Sequence, residues 1–286
     1  MESCNLCGNT AFDPLITKDG FDLVRCRHCS LLFVANPPTD AERARLYSFE
    51  SGYHTTLEVD QASVDFHERE AVLNLAALRQ HATSGRLLDI GCSTGLFLKT
   101  ARAAGWTGQG LEYSPDSSKI ARETNGLDVK TGELRADTYP ADSFDVVTFW
   151  DVIEHLPDPH GTLKLVAGIL APGGLLVLKT PNADGIYPQA SLPFARRFGY
   201  WGHAEPPGHL YQFSVKTLTD MAERAGFHVV AVHHQRIPIS YSFGSVRGWF
   251  RSVKWAAYCA LYVPLAWIGP WIGRGDDQVL VARKRR

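Results

Sequence analysis

The sequence predicts an α/β fold: a largely parallel sheet with helices on both faces, preceded by a small cysteine-bearing module. Three observations carry this. From residue 86 onward, short apolar runs of strand type alternate with helical periodicity. A glycine-rich turn joins the first of those strands to its helix. Four of the six cysteines fall within the first 29 residues, as two matched pairs. A length of 286 residues with 45% apolar content supplies a sizeable core, in one large domain or two smaller ones. Lys and Arg number 29 against 30 Asp and Glu, a net charge of −1 that speaks against nucleic acid as a partner.

The amino-terminal pairs read Cys4-x-x-Cys7 and Cys26-x-x-Cys29. Each forms a tight knuckle that brings two sulfurs to one ion, and four thiolates close a tetrahedron around Zn2+ with no position left for substrate. A structural zinc ribbon over residues 1–36 is therefore expected, with Phe21 to Arg25 as one strand of its hairpin. Residues 1 to 30 contain no apolar leader, so a cytoplasmic location with reduced thiols is expected in place of a disulfide framework. Cys92 and Cys259 are isolated and read as small buried apolar residues.

Asn36-Pro37-Pro38 ends the ribbon. Residues 37–80 read as a helical cap or linker, with a short helix near 40–48, aromatic Tyr47, Phe49 and Tyr53, and a longer helix from Ser63 to Gln80. Residues 81–286 carry the alternating pattern. Strands are predicted at Arg86–Ile90, Gly108–Glu112, Asp128–Thr131, Phe144–Phe149, Leu175–Thr180, His228–His233 and Gln278–Arg283. Helices are predicted at Gly95–Ala104, Pro115–Thr124, Pro159–Leu170 and Ser214–Ala225.

Asp89-Ile90-Gly91-Cys92-Ser93-Thr94-Gly95 leads from the first of these strands into a helix. Gly91 and Gly95 let the backbone turn sharply and approach a ligand beyond the carboxyl ends of the strands. The next strand ends in Glu112, at the spacing of an acid that accepts two hydrogen bonds from a ribose diol. Turn and acid together point to a nucleoside.

A longer run separates the nucleosides. Phe144-Asp145-Val146-Val147 is followed by Trp150-Asp151, Glu154-His155-Leu156, Asp158-Pro159, and Pro172-Gly173-Gly174. With the Asp89–Gly95 turn and Glu112, this order resembles the class I S-adenosylmethionine-dependent methyltransferases over residues 63 to 283. The resemblance implies a seven-stranded Rossmann-like sheet whose last strand runs antiparallel. It also implies that Asp89, Gly91, Cys92 and Gly95 surround the methionine part of S-adenosylmethionine and that Glu112 holds the ribose. Glu133 and Leu134 would meet the adenine, with Asp137 as a competitor, and Trp150 and Asp151 would line the sulfonium.

The cysteine module ahead of this core, and Pro207-Gly208-His209-Leu210 with Phe213-Ser214 and Leu218, resemble bacterial methyltransferases of sugar, cell-surface glycan and natural-product pathways. The sugar C-methyltransferases among them carry a tyrosine and a glutamate before that histidine. Here Pro207 and Gly208 stand there, which leans toward O-methylation. A hydroxyl acceptor must lose its proton as the methyl arrives, and histidine titrates near neutrality. His155 and His209 are the candidate bases, with His203 third. Tyr187, Tyr200, Trp201 and Tyr211 read either as a sugar platform or as core. Two rival readings stay open: an RNA methyltransferase, and a cofactor-binding scaffold without catalysis.

The chain between the last two strands, residues 237–276, is long for such a connection. Val246, Trp249, Phe250, Val253, Ala257 and Leu261 recur at helical spacing, with Arg247, Arg251 and Lys254 on the other face. This pattern is that of a helix lying in a membrane surface, at the inner face of a membrane and beside a lipid-linked acceptor, or of a lid or dimer surface. Trp255 to Gly273 is long enough to span a bilayer, but Pro264 and Pro270 are expected to interrupt it.

Overall fold

The computed structural model describes residues 1–51, 61–198, 201–250 and 252–285. Tyr53, Tyr200 and Arg251 lie outside the described residues. The chain opens with β1 (Phe12–Lys18), β2 (Phe21–Cys26) and β3 (Leu32–Val34), then α1 (Asp40–Leu46), capped by Thr39 and Glu42, and α2 (Gln61–Arg79). The alternating region follows as β4 (Arg86–Ile90), α3 (Leu96–Ala103), β5 (Thr107–Glu112), α4 (Pro115–Glu123), β6 (Val129–Thr131) and β7 (Phe144–Trp150). Then come α5 (Pro159–Ile169), β8 (Leu170–Pro181), α6 (Ile186–Phe198), β9 (Tyr211–Gln212), α7 (Val215–Arg224) and β10 (Phe227–Gln235). The insertion is α8 (Ile239–Phe243), α9 (Val246–Trp249) and α10 (Val253–Ile268), and β11 (Asp277–Lys284) closes the sheet.

The main sheet has seven strands in the order β10-β11-β8-β7-β4-β5-β6. Strands β4 to β8 pair in parallel, and β11 is inserted antiparallel between β8 and β10. The strand order reverses beside β4, so the crevice at its carboxyl end is where an open α/β sheet receives a ligand. Each face has its own core. One face buries Leu78, Leu87, Phe97, Leu98 and Val146 under α2 and α3. The other buries Leu88, Phe149, Leu163 and Phe227, and the same cluster contains Leu6, Cys26, Leu31 and Phe33 of the amino-terminal module.

That module is a second sheet, in the order β1-β2-β3-β9. Its last strand comes from 180 residues later in the chain: Leu32 pairs with Gln212 and Phe33 with Tyr211. A two-residue strand carries no sequence period, so β9 had no signal of its own. Helix α6 was also missed, because Pro193 interrupts its pattern. The insertion differs from expectation too. Its single helix is divided, with Gly244 at φ 71° after α8 and a break between α9 and α10. Pro264 sits inside α10 and does not end it.

Candidate active site

The turn after β4 owes its shape to three left-handed residues, Gly91 (φ 72°), Ser93 (φ 52°) and Gly95 (φ 84°). A side chain at Gly91 would place Cβ 2.5 Å from Val152 Cγ2, and one at Gly95 would lie 2.2 Å from Leu127 Cδ1. Both glycines are thus needed for backbone conformation and for space. Ser93 tolerates the strain because its N–H donates to Glu112 Oε2 at 2.8 Å, while Ser114 N–H donates to Oε1 at 2.7 Å. Glu112 is buried at the tip of β5 and ties the turn to the next loop. A carboxylate is the group that accepts two hydrogen bonds from a ribose diol.

Asp89 lies beneath the turn, accepting from the Thr148 hydroxyl at 2.7 Å. Burial pushes its carboxyl up to about 8, against the Thr148 hydrogen bond and with the Glu112 charge adding to the rise. Cys92 is buried, its Sγ directed toward Gly110, so it meets the turn through its backbone. Trp150 packs on Phe97 at the end of β7 with ring centroids 5.0 Å apart, and Asp151 follows at φ 56°. The buried Lys179 ammonium holds Asp151 from the next strand at 3.2 Å, with Glu70 of α2 at 2.8 Å and Asp277 at 3.5 Å. Those carboxylates hold Lys179 well above its usual range, against the cost of its burial. Glu133 is exposed and ion-paired to Arg43 at 2.6 Å, and Leu134 is half-buried against the core.

A second group converges beside this crevice. Ligand atoms of Glu154, His155 and His209 lie within 4.8 Å of one another, and the two imidazoles meet edge to face at 4.7 Å. The set has the composition of a proton relay or of a divalent-cation site. Glu154 is buried, and desolvation with the nearby Asp151 charge pushes its carboxyl well up. His209 is pushed well down by burial and by His155, so its imidazole is neutral near pH 7. Its Nδ1 is buried without a hydrogen-bond partner among the described residues. Leu210 N–H donates to Glu154 O at 2.8 Å, which joins the two segments. The cap of α7 is Ser214, so His209 is not held in place as a helix cap.

Sequence reasoning missed Tyr47. Its hydroxyl lies 3.0 Å from His155 Nδ1, and its ring meets Tyr113 at 5.9 Å, so the segment after α1 bridges the Glu112 loop and the histidines. Lys179 and Glu70 were missed as well; a lone lysine in an apolar strand was the available signal. The aromatic platform is not formed by the described residues. Trp201 donates to Pro188 O at 3.1 Å, Tyr211 to Pro157 O at 3.1 Å, and Tyr187 packs under the insertion; all three are core. His203 is buried against Trp201, and burial pushes it down to about 3.

In the amino-terminal module, Cys4 and Cys29 Sγ are 3.5 Å apart, as are Cys7 and Cys26, and all four lie within 4.8 Å. These separations are too long for disulfides and fit four sulfurs at about 2.3 Å from one ion.

A family model described as a methyltransferase domain matches residues 64–232. The chain is 28% identical over 153 residues to a ubiquinone biosynthesis O-methyltransferase of Paraburkholderia phymatum, covering 51% of this chain and 66% of the relative. To that of Xanthomonas axonopodis it is 32% identical over 118 residues, covering 38% and 48%. The chain thus spans from just under half to about two thirds of the length of these relatives. Among solved structures, a chain of the Haloferax volcanii complex between the Trm112 methyltransferase activator and a methyltransferase superposes with a TM-score of 0.58 at 19% identity, covering 86% of this chain and 98% of that one. A methyltransferase of Thermotoga maritima gives 0.50 at 21%, covering 78% and 96%. The family model spans more than half of the chain, from α2 into β10, and the chain belongs to the methyltransferase-domain family, as a class I S-adenosylmethionine-dependent enzyme.

Proposed function

We propose that the enzyme methylates a hydroxyl of a sugar, glycolipid or related small metabolite, with the His155–His209 pair as general base. The observation that carries this reading is the convergence of the two imidazoles beside the end of β7. S-adenosylmethionine, when bound, supplies an electrophilic methyl group on a sulfonium. The protein's own work is to hold it and to take a proton. The turn at Gly91, Cys92 and Gly95, with Asp89 beneath it, encloses the methionine part. The Glu112 carboxylate accepts from the ribose hydroxyls, and Glu133 and Leu134 flank the adenine. Trp150 and Asp151 border the methyl, and Lys179 fixes Asp151 from behind.

As the acceptor oxygen bonds the methyl carbon, the carbon–sulfur bond breaks and the hydroxyl proton passes to imidazole nitrogen. A neutral imidazole is required, and the burial of His209 keeps it so. The relatives named as O-methyltransferases support oxygen as the acceptor atom. Cys4, Cys7, Cys26 and Cys29 would hold a structural Zn2+, closing a tetrahedron of thiolates that leaves no place for substrate.

Incubation with methyl-labelled cofactor and fractionated cell extract tests the acceptor class. Label is expected in small metabolites or lipid, and label confined to RNA or protein would overturn it. With the acceptor in hand, His155→Ala and His209→Ala should each lower kcat about 10²–10⁴-fold and leave cofactor affinity unchanged. Unchanged kcat in both would remove the pair from the chemistry.

A further inference from the structure

Among the described residues, thirteen large apolar side chains are exposed, and nine of them lie in the insertion between β10 and β11. Phe250, Val253, Leu261, Trp267 and Trp271 are 76%, 88%, 60%, 53% and 87% exposed. The inner face of α10 is already satisfied. Tyr258, Cys259, Tyr262 and Ala266 are buried against Tyr187 and Phe243, with the hydroxyls of Tyr187 and Tyr258 3.1 Å apart. The outer face is therefore apolar without need of the core. From residue 236 to 275 the sequence contains Arg236, Arg247, Arg251, Lys254 and Arg274 and no Asp or Glu, in a chain whose net charge is −1. The Arg236 guanidinium lies 4.0 Å over the Trp267 ring, a cation at the rim of the apolar face.

We propose that this insertion docks the enzyme on an anionic lipid bilayer, with α10 lying along the surface and its tryptophans among the headgroups. Exposed Trp, aliphatic residues and basic side chains without acids are complementary to such a surface. A second copy of this chain fits less well, since a twofold contact would set the basic patch against itself. The stretch Val253–Ile272 has the length and composition of a span. Its return is the obstacle. Gln235 and Asp277 are register partners, so the insertion leaves and re-enters at one point of the sheet. Residues 273–276 reach about 14 Å when extended, against a hydrocarbon core of about 30 Å.

The placement has a direction. Asp277 pairs with Pro181 at the carboxyl edge of the main sheet, the edge where Trp150 pairs with Lys179. A bilayer on α10 therefore lies on the active-site side and favours an acceptor held in that bilayer. This second half rests on the hydroxyl-acceptor reading; the docking itself does not.

Flotation of the full-length protein with vesicles separates the two. Binding to phosphatidylcholine vesicles containing about 30% phosphatidylglycerol should exceed binding to pure phosphatidylcholine at least tenfold and weaken with salt. Val253→Asp and Trp271→Asp, both at exposed positions, should each cut that binding about tenfold while leaving the melting temperature and S-adenosylmethionine affinity unchanged. Failure of the wild type to float with either vesicle would overturn the proposal. So would sedimentation showing a dimer that Trp271→Asp dissociates. Docking with label entering only water-soluble metabolites would keep the surface and overturn the bilayer-held acceptor.

Discussion

At the scale of single residues, burial governs the charge of Asp89 beneath the Gly91–Gly95 turn. Asp89 is held up to about 8 in the ligand-free protein, so near neutrality it carries a proton that the unfolded chain has shed. Asp89→Asn keeps a carbonyl to accept from Thr148 and removes the ionisable group. It should raise the melting temperature of the ligand-free protein by a few degrees at pH 7.5 and weaken S-adenosylmethionine binding at least tenfold. Calorimetry and a thermal melt on the same variant check both signs. Glu112→Ala removes two hydrogen bonds from backbone N–H groups as well as the proposed ribose acceptor, and Ser93 loses what holds it at positive φ. Cofactor affinity should fall about 100-fold or more, by titration calorimetry; unchanged binding would remove Glu112 from the cofactor site. Much of this was legible in the residues. A turn that needs two glycines and an acid one strand later are local demands, and local demands leave a sequence pattern. Tyr47 left none, because a tyrosine in a polar linker is defined by what it touches, and its partner His155 is 108 residues away.

At the scale of elements, the amino-terminal module and the histidines are one construction. β3 pairs with β9, and Val34 N–H donates to Leu210 O at 2.9 Å, one residue from His209. The cysteine knuckles, for which zinc is the proposed ion, thus hold the segment that carries a proposed base. Removing the ion by chelation, or Cys26→Ser, should lower kcat by about tenfold or more while S-adenosylmethionine affinity changes little, since the Glu112 loop sits on the opposite side of β4 from that contact. Equal loss of kcat and cofactor affinity would instead indicate collapse of the whole core that the module shares. The sequence carried the alternation of β4 to β11 because five-residue strands and ten-residue helices have periods. It carried neither β9 nor the division of the insertion helix, which depend on tertiary partners and on Gly244.

At the scale of the whole molecule, the fold holds protons. Burial raises Asp89 to about 8, Asp276 to about 6, and Glu154 well above its usual range. Each is neutral in the folded chain over a pH range where the unfolded chain has ionised it. Unfolding therefore releases protons, and stability falls as pH rises from about 5 through 8, then levels off. Melting temperatures of the ligand-free protein from pH 5 to 9 should decline across this window, with a shallower slope in Asp89→Asn. A rising profile would mean that these carboxylates are ionised and compensated.

The pairing of β3 with β9 has a consequence for synthesis. The ribbon is made well before its outer edge strand, Tyr211–Gln212. Until about 180 further residues have been added, on the order of 10–40 s of elongation, β3 presents an unpaired edge and Phe33 lacks its Tyr211 neighbour. The ribbon's open edge thus waits through synthesis of most of the main sheet for the segment that shelters it.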